Sequence, residues 1–447
     1  MAAPSPSSPP QFRSLEASYS LRTCSSFSQL KQIHTRVIKH NLTNDQLLVR
    51  QLISVSSSFG ETQYASLVFN QLQSPSTFTW NLMIRSLSLN HKPREALLLF
   101  ILMLTHHHSH FDKFTLPFVI KACLASSYIH LGTQVHGLAI KAGFFSDVFF
   151  QNTLMDLYFK CGKPDCGRKV FDKMPGRSIV SWTTVLYGLV SNSQLDSAEI
   201  VFNQMPRRNV VSWTAMITAY VKNRRPDEAF QLFRRMQVDD RVKPNEYTIV
   251  NLLQASTQLG SLSMGRWVHD YAHKNGFVVD SFLGTALIDM YSKCGSLQDA
   301  RKVFDVMQSK SLATWNSMIT SLGVHGCGEE ALSLFQDMEE EASVEPDAIT
   351  FVGVLSACAN TGNVKEGLKY FTWMIQVYGI SPIPEHYACM IQLLEKALEV
   401  SDLVDSMESY PNHTTSFGNE YMDQVNERHE TPSQHQIMFS KWDTGRF

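Results

Sequence analysis

The sequence predicts an all-α fold, an α-solenoid built from stacked helix-turn-helix repeats. Two similar segments, "IVSWTTVLYGL" and "VVSWTAMITAY", place their tryptophans 31 residues apart. A longer interval of 102 residues separates Trp80 from Trp182 and Trp213 from Trp315. Val-Phe pairs keep both intervals and end at Phe69, Phe171, Phe202 and Phe304. Because independent markers share the same spacing, we infer an internal repeat.

The 102-residue interval divides into repeats of 36, 35 and 31 residues. The first repeat is partial, and the repeat 179–209 is an additional 31-residue copy. The predicted repeats are 15–45, 46–76, 77–112, 113–147, 148–178, 179–209, 210–245, 246–280, 281–311, 312–347 and 348–400. Together they form a repeat array over residues 15–400.

Each repeat is predicted to contain two helices. In the repeat 210–245, Trp213, Ile217 and Tyr220 lie on one apolar stripe at helical spacing. Pro226 favours the start of a second helix, because proline suits the first helical turn. Pro244 marks the exit, because the residue before a proline disfavours helix. One such hairpin cannot bury its apolar face alone, so neighbouring repeats are expected to stack.

Composition and charge narrow the classes of function. No apolar run reaches the length of a membrane span, roughly 20 residues. The eight cysteines form no Cys-x-x-Cys pair, and no phosphate-binding Gly-x-x-x-x-Gly-Lys loop occurs. Residues 1–310 carry 33 Lys and Arg against 21 Asp and Glu, whereas residues 311–447 carry 6 against 20. A basic body favours an anionic partner, although solvated helix faces alone could also be basic.

Histidine clusters are interpreted as structural. The segment "THHHSH" contains His106, His107, His108 and His110. Adjacent residues do not converge on one ion as the spaced ligands of a closed metal site do, so no metal or other cofactor is predicted. His34, His136 and His269 recur at one position of the repeat, which predicts packing or polar contact within the repeat.

The repeats resemble the pentatricopeptide repeat family. The stretches that carry the resemblance are "VVSWTAMITAY", "DEAFQLFRRM", "LIDMYSKCGSLQDARKVFDVM" and "PNEYTIVNLLQA". The alternation of 36, 35 and 31 residues is similar to the plant PLS subclass, which mixes repeats of three lengths. The resemblance covers about residues 15–400. It implies a right-handed superhelix that binds single-stranded RNA and reads one base per repeat.

The resemblance also implies a role for three positions of each repeat. The fifth and the last residue contact the base edge, and the second residue helps to sandwich the base ring. The base-reading pairs are Asn81 with Asp112, Asn152 with Ser178, Thr183 with Asn209, Thr214 with Asn245, Thr285 with Ser311, and Asn316 with Asp347. The sandwiching residues are Phe78, Phe149, Val180, Val211, Phe282 and Ala313. The alternative is that these Thr and Asn residues only cap or decorate helices.

Side-chain chemistry supports a base order. A final aspartate only accepts hydrogen bonds and suits the ring N–H of uracil or guanine, whereas asparagine can also donate to the bare ring nitrogen of adenine or cytosine. By resemblance, a fifth-position Asn favours pyrimidines, and Thr or Ser favours purines. The long repeats carry Pro117, Val250 and Val352 at the fifth position and are uninformative. The predicted order is U-n-Y-A-A-n-A-U, with the protein N-terminus toward the RNA 5′ end; the Y leans to C, and the third A is ambiguous.

The two ends of the chain are predicted to lie outside the array. Residues 1–14 are rich in Ser, Pro and Ala and are typical of an organellar transit peptide, with chloroplast favoured over mitochondrion. Residues 409–447 are polar and are predicted to be disordered. Zinc deaminases need a His-x-Glu and a Cys-x-x-Cys, and neither occurs here, so no deaminase domain, no C-terminal extension motifs and no enzyme activity are expected.

The sequence therefore predicts an RNA-binding specificity factor in an organelle. We expect it to act in RNA modification, with C-to-U editing by a deaminase in trans as the favoured role. Alternatives are transcript stabilisation, cleavage or splicing support. A protein-binding scaffold is the competing class, but a peptide-binding groove would not require Thr and Asn in register with the repeat ends. No membrane or DNA partner is predicted.

Overall fold

The computed structural model describes residues 14–408 apart from 44, 106–110, 239–240 and 342–343. All regular secondary structure in these residues is helical, which confirms the predicted all-α solenoid class. The histidine cluster, the predicted transit peptide (except Ser14) and the predicted C-terminal tail lie outside the described residues. The described residues divide into two compact parts, one ending at Met318 and the other beginning at Ile319, and each is described by itself.

The N-terminal part consists of consecutive helical hairpins. Its helices are α1 (Ser14–Arg22), α2 (Phe27–Lys39), α3 (Gln46–Ser58), α4 (Thr62–Asn70), α5 (Thr77–Leu89), α6 (Pro93–Thr105), α7 (Thr115–Ala125), α8 (Ile129–Lys141), α9 (Val148–Lys160), α10 (Pro164–Asp172), α11 (Ile179–Ser191), α12 (Leu195–Gln204), α13 (Val210–Lys222), α14 (Pro226–Val238), α15 (Glu246–Gln258), α16 (Leu262–Lys274), α17 (Ser281–Lys293) and α18 (Leu297–Val306). Helix α19 (Leu312–Val324) begins in this part.

The C-terminal part continues the hairpins with α20 (Gly328–Glu340), α21 (Ala348–Thr361) and α22 (Val364–Gln376), and ends with α23 (Pro384–Glu408). Helix α23 is one continuous helix of 25 residues that packs against α21 and α22. None of the helices in the described residues is both long and apolar enough to cross a membrane.

The sequence markers pack against each other where consecutive repeats meet. Phe202 on α12 contacts Trp213 on α13 edge to face, with ring centroids 4.9 Å apart. The guanidinium of Arg208 lies over both rings, and its Nε donates a hydrogen bond to the Phe202 carbonyl oxygen at 3.1 Å. The same edge-to-face pair occurs at Phe69–Trp80, Phe171–Trp182 and Phe304–Trp315. The 31- and 102-residue intervals therefore arise from one Phe–Trp packing contact that is repeated at four junctions between repeats.

The recurring histidines join consecutive repeats. Nδ1 of His136 lies 2.8 Å from the Tyr158 hydroxyl, and Nδ1 of His269 lies 2.8 Å from the Tyr291 hydroxyl. His34 contacts the hydroxyl of Tyr64, which also belongs to the next repeat but lies on its second helix. The polar contact was expected within one repeat, but each tyrosine belongs to the following repeat. The histidine is therefore part of the interface between repeats.

These three histidines, of which His34 is buried and His136 and His269 are partly buried, make stability depend on pH. Desolvation lowers the pKa of His34, His136 and His269, so the folded state disfavours the imidazolium form. The pKa of an unfolded histidine is about 6.5. The neutral histidines therefore contribute their full stabilisation of the folded state above about pH 6.5, and this contribution is lost as the pH falls below that value. We expect the urea midpoint to drop between pH 7.5 and 5.5. His269→Gln, which cannot titrate, should flatten that slope; an unchanged slope would exclude His269 as a contributor.

Candidate nucleic-acid interface

Apolar side chains at the second position of the repeats are exposed. Phe78, Phe149, Val180, Val211 and Phe282 are each between 44% and 58% exposed, and Ala313 is exposed as well. The sequence prediction did not include the remaining second-position residues, but Leu47, Phe114, Tyr247 and Ile349 are also exposed. Large apolar side chains in water, all in one register, are unusual for a packing surface and indicate a surface that receives a ligand.

Three consecutive repeats contribute these residues to one open groove of about 600 Å³. The sandwiching candidates Phe149, Val180 and Val211 line it, and so do the reading candidates Asn152 and Thr183. Lys121, Lys160, Asp156 and Tyr187 are also in the lining. The groove thus combines apolar side chains, hydrogen-bonding groups and two lysines, of which Lys160 is ion-paired with Asp156 at 3.1 Å. Apolar surface and positive charge are the components needed to bind bases and a phosphate backbone.

The last residue of each repeat caps the first helix of the next repeat. Oδ1 of Asn245 accepts a hydrogen bond from the Thr248 backbone N at 2.9 Å, and Oδ1 of Asn209 accepts one from the Ser212 N at 3.0 Å. The same role falls to Asp45, Ser76, Asp147, Ser178, Asp280, Ser311 and Asp347. Asp112 lies just before the cap position of α7, and its Oδ1 accepts a hydrogen bond from the backbone N of Thr115, the first residue of that helix. These residues therefore do have the helix-capping role that the sequence analysis gave as the alternative.

Capping leaves a second polar atom for other contacts. The cap uses Oδ1 of Asn209 and Asn245, and in the described part of the chain their Nδ2 groups donate no hydrogen bond. Asp112 receives all its hydrogen bonds on Oδ1, so its Oδ2 has no donor from the described residues. Asparagine thus keeps a donor and aspartate keeps an acceptor, which is the difference on which the predicted base order depends.

The structure brings two of the predicted reading pairs into direct contact. Nδ2 of Asn81 donates to Oδ1 of Asp112 at 2.9 Å, and the Thr214 hydroxyl donates to Oδ1 of Asn245 at 3.3 Å. The fifth residue of one repeat therefore meets the cap of the next helix, although the two residues are 31 positions apart.

The other predicted pairs are arranged differently. The Thr183 hydroxyl donates to backbone carbonyl oxygens of its own helix, and Thr285 does the same. Oδ1 of Asn152 is buried, and none of the described residues donates a hydrogen bond to it. Thr214 and Asn316 are only 9% and 7% exposed, so the fifth residue lies deeper than the second. Asn316 and its predicted partner Asp347 lie in different parts of the chain and are described separately.

The sequence prediction missed the third residue of the following repeat. The Thr248 hydroxyl lies 2.7 Å from the Thr214 hydroxyl and donates to Oδ1 of Asn245 at 2.8 Å. The Thr115 hydroxyl likewise donates to Oδ1 of Asn81 at 2.6 Å. Equivalent buried hydroxyls belong to Thr79, Ser181, Ser212, Thr314 and Thr350. The signal in the sequence was a Ser or Thr three residues after a capping Asp, Asn or Ser, which is a form of the capping box.

This hydroxyl should contribute to stability. Thr248→Val keeps the shape of the buried side chain but removes one donor to Asn245 and the partner of Thr214. We expect the free energy of unfolding in urea to fall by about 1–2 kcal/mol, the usual range for a lost buried hydrogen bond. Thr248→Ser retains the hydroxyl and is the matched control, which should lose less. Equal losses for both variants would mean that the methyl packing of Thr248 matters and the hydrogen bonds do not.

Comparison with known proteins identifies the repeats. The PPR repeat family model matches residues 208–256 and 310–360, and the PPR repeat model matches residues 78–108, 152–179, 180–210 and 285–312. The chain is similar in fold to the crystal structure of the pentatricopeptide repeat protein PPR10 in complex with an 18-nt psaJ RNA element. The TM-score is 0.69 at 17% identity, covering 86% of this chain and 59% of that chain.

Relatives in Arabidopsis thaliana extend over most of the sequence. The chain is 88% identical to the pentatricopeptide repeat-containing protein At3g26630, chloroplastic, over the full length of both proteins. It is 39% identical to the pentatricopeptide repeat-containing protein At4g18840 over 86% of this chain and 77% of that protein. The name of the first relative agrees with the predicted chloroplast location. The recurring helical hairpins, the matched repeat models and these two relatives show that the chain belongs to the pentatricopeptide repeat family.

Proposed function

We propose that the chain binds one short single-stranded RNA site in a chloroplast transcript and reads it base by base. The observation that carries the proposal is the groove in which exposed second-position side chains lie next to fifth-position hydrogen-bonding groups. The crystal structure with similar fold is of a protein bound to an RNA element, which supports the same ligand class here.

Each pair of positions has a defined task in this proposal. Base rings stack between second-position side chains of consecutive repeats, and we call each such space a base slot. The uncommitted Oδ2 of Asp112 would accept the ring N–H of uracil. The uncommitted Nδ2 groups of Asn209 and Asn245 would donate to the ring nitrogen of adenine. Apolar stacking supplies affinity for any base, whereas these polar atoms select among bases.

The positive charge of the basic body would bind the phosphate backbone. Lys121 and Lys160 line the groove, and residues 1–310 carry 33 Lys and Arg against 21 Asp and Glu. Phosphate contacts release counterions from the nucleic acid, so affinity should fall steeply as salt rises. Duplex DNA, in which the bases are stacked and paired, cannot insert them into the base slots.

We infer that the chain belongs to the PLS subclass and acts as a specificity factor in RNA modification without catalysing the reaction itself. The alternation of 36-, 35- and 31-residue repeats supports this assignment, and C-to-U editing by a deaminase in trans is the favoured step. RNA stabilisation, cleavage and splicing support are second candidates, because they use the same base-reading groove.

Electrophoretic mobility shifts test the RNA-binding proposal. We expect submicromolar binding to single-stranded U-n-Y-A-A-n-A-U at moderate salt. A shuffled RNA of equal composition and a duplex DNA of the same sequence should bind much more weakly. Equal binding of the specific and the shuffled RNA would contradict base reading. RNA-independent binding of a chloroplast protein, without any RNA affinity, would favour a protein-binding scaffold.

A further inference from the structure

The repeat 46–76 carries an arginine where the other reading repeats carry Asn or Thr. Arg50 is its fifth residue, and its Nη2 donates to Oγ of Ser76, the last residue of the same repeat, at 2.9 Å. This contact corresponds to the Asn81–Asp112 hydrogen bond of the following repeat. The same Nη2 also donates to Oε1 of Gln46 at 3.1 Å. Arg50 therefore occupies the reading position, but with a much longer side chain.

The Arg50 guanidinium also covers an aromatic ring. Its Cζ lies 4.7 Å from the centroid of Phe78, the second residue of the next repeat. A guanidinium is planar and stacks on aromatic faces in the way that a base does. Phe78 and the exposed Leu47 are the two second-position side chains that bound this base slot. The guanidinium thus covers one face of Phe78, where it takes the place that a stacked base would need.

The hydrogen bonds of Arg50 fix the guanidinium in place. Nη2 carries two hydrogens, and Ser76 and Gln46 accept both. Nε is buried, and none of the described residues accepts a hydrogen bond from it. Arginine reads a base edge with a fork of two parallel donors, and both possible forks include Nη2. Arg50 in this position therefore has no complete fork to offer to a base.

We propose that Arg50 fills the first base slot itself, so that the RNA site begins at the repeat 77–112. This inference rests on the proposed RNA binding. The first nucleotide that is read is then the uridine assigned to Asn81 and Asp112, and a nucleotide on its 5′ side is not bound through its base.

The test uses five RNAs of nine nucleotides. Each contains U-n-Y-A-A-n-A-U preceded by A, C, G, U or an abasic residue, so that the phosphate count is constant. The wild-type protein should bind all five within about twofold. Arg50→Asn opens the slot and leaves the residue types that Asn152 and Ser178 provide in the repeat 148–178. It should bind the RNAs with a 5′ C or U at least about fivefold more tightly than the abasic RNA, because one stacked base contributes on this order.

Arg94→Asn is the matched control, because Arg94 is an exposed residue on α6 and the variant removes the same charge. It should behave like the wild type. Preference of the wild type for any base over the abasic residue would overturn the inference, and this outcome does not depend on the folding of a variant. Equal binding of all five RNAs by a folded Arg50→Asn would also overturn it. Equal binding of U-n-Y-A-A-n-A-U and of a shuffled RNA by the wild type would instead contradict the proposed RNA reading.

Discussion

Asn245→Asp is expected to change the preferred base at one position from adenine to guanine. The wild-type Nδ2 is a donor that suits the bare ring nitrogen of adenine, and the aspartate oxygen that replaces it accepts the ring N–H of guanine. By analogy with mismatches in protein–DNA sites, discrimination should be about 1–3 kcal/mol, roughly 5- to 150-fold in affinity. Competition binding with four RNAs that differ only at this base measures the change.

The variant should fold as the wild type does. Asn245 caps α15 through Oδ1, which accepts hydrogen bonds from the backbone and the hydroxyl of Thr248. Aspartate retains that oxygen, is an equally good cap, and places a negative charge where the helix dipole favours it. The base assigned to Asn209 in the preceding repeat serves as an internal control and should remain adenine. A uniform loss of affinity for all four RNAs would show that Asn245 supports the hairpin without reading the base.

The double variant Phe149→Ala with Phe282→Ala should lose most of its RNA affinity. Both rings are about half exposed at the second position of their repeats, so their removal should cost little stability. Each stacked base contributes about 1–3 kcal/mol, and the two losses should add because the repeats are well separated. Titration of U-n-Y-A-A-n-A-U by fluorescence anisotropy should show weakening on the order of 30-fold or more.

Leu98→Ala is the control for this loss. Leu98 is an apolar side chain on α6, is even more exposed than the two phenylalanines, and lies outside the second-position register. Its removal should leave RNA affinity unchanged. If Leu98→Ala weakened binding as much as the double variant, exposed apolar area in general, and not the second-position register, would govern affinity. Base preferences at the remaining positions should persist in the double variant, because their polar contacts are intact.

The hairpins could be predicted because they are periodic properties of the chain, whereas the second-position register followed from the family resemblance. Helical spacing places Trp213 on the apolar stripe, which does not include Val211. In the structure Trp213 is buried and Val211 is exposed. Depth within the groove could not be predicted in this way. Thr214 is largely buried because α15, the first helix of the next repeat, packs against α13 and brings the Thr248 hydroxyl to it. Periodicity identifies a face of a helix without giving its distance from a neighbour.

Contacts between repeats are the second feature that could not be predicted from the sequence. The recurrence of His136 predicts a contact within its own repeat, but Tyr158 belongs to the next one, because recurrence of a residue does not reveal which neighbour it meets. The Thr248 hydroxyl was overlooked for a similar reason, since its partner Thr214 lies 34 positions earlier in the chain. The role of Arg50 at a fifth position also could not be predicted, because it depends on contacts with Ser76 and Phe78 in and beyond its own repeat.

Selection from a pool of random RNA by the wild-type protein tests most directly whether the order of the repeats sets the order of the bases. Single-stranded RNAs retained at moderate salt would be sequenced and aligned. We predict enrichment of U-n-Y-A-A-n-A-U, with the first U at the 5′ side and with no base preferred at the two positions assigned to Pro117 and Val250. Retention of RNA without enrichment of any base, or enrichment of the order in the opposite direction, would contradict base reading by the fifth and last residues of these repeats.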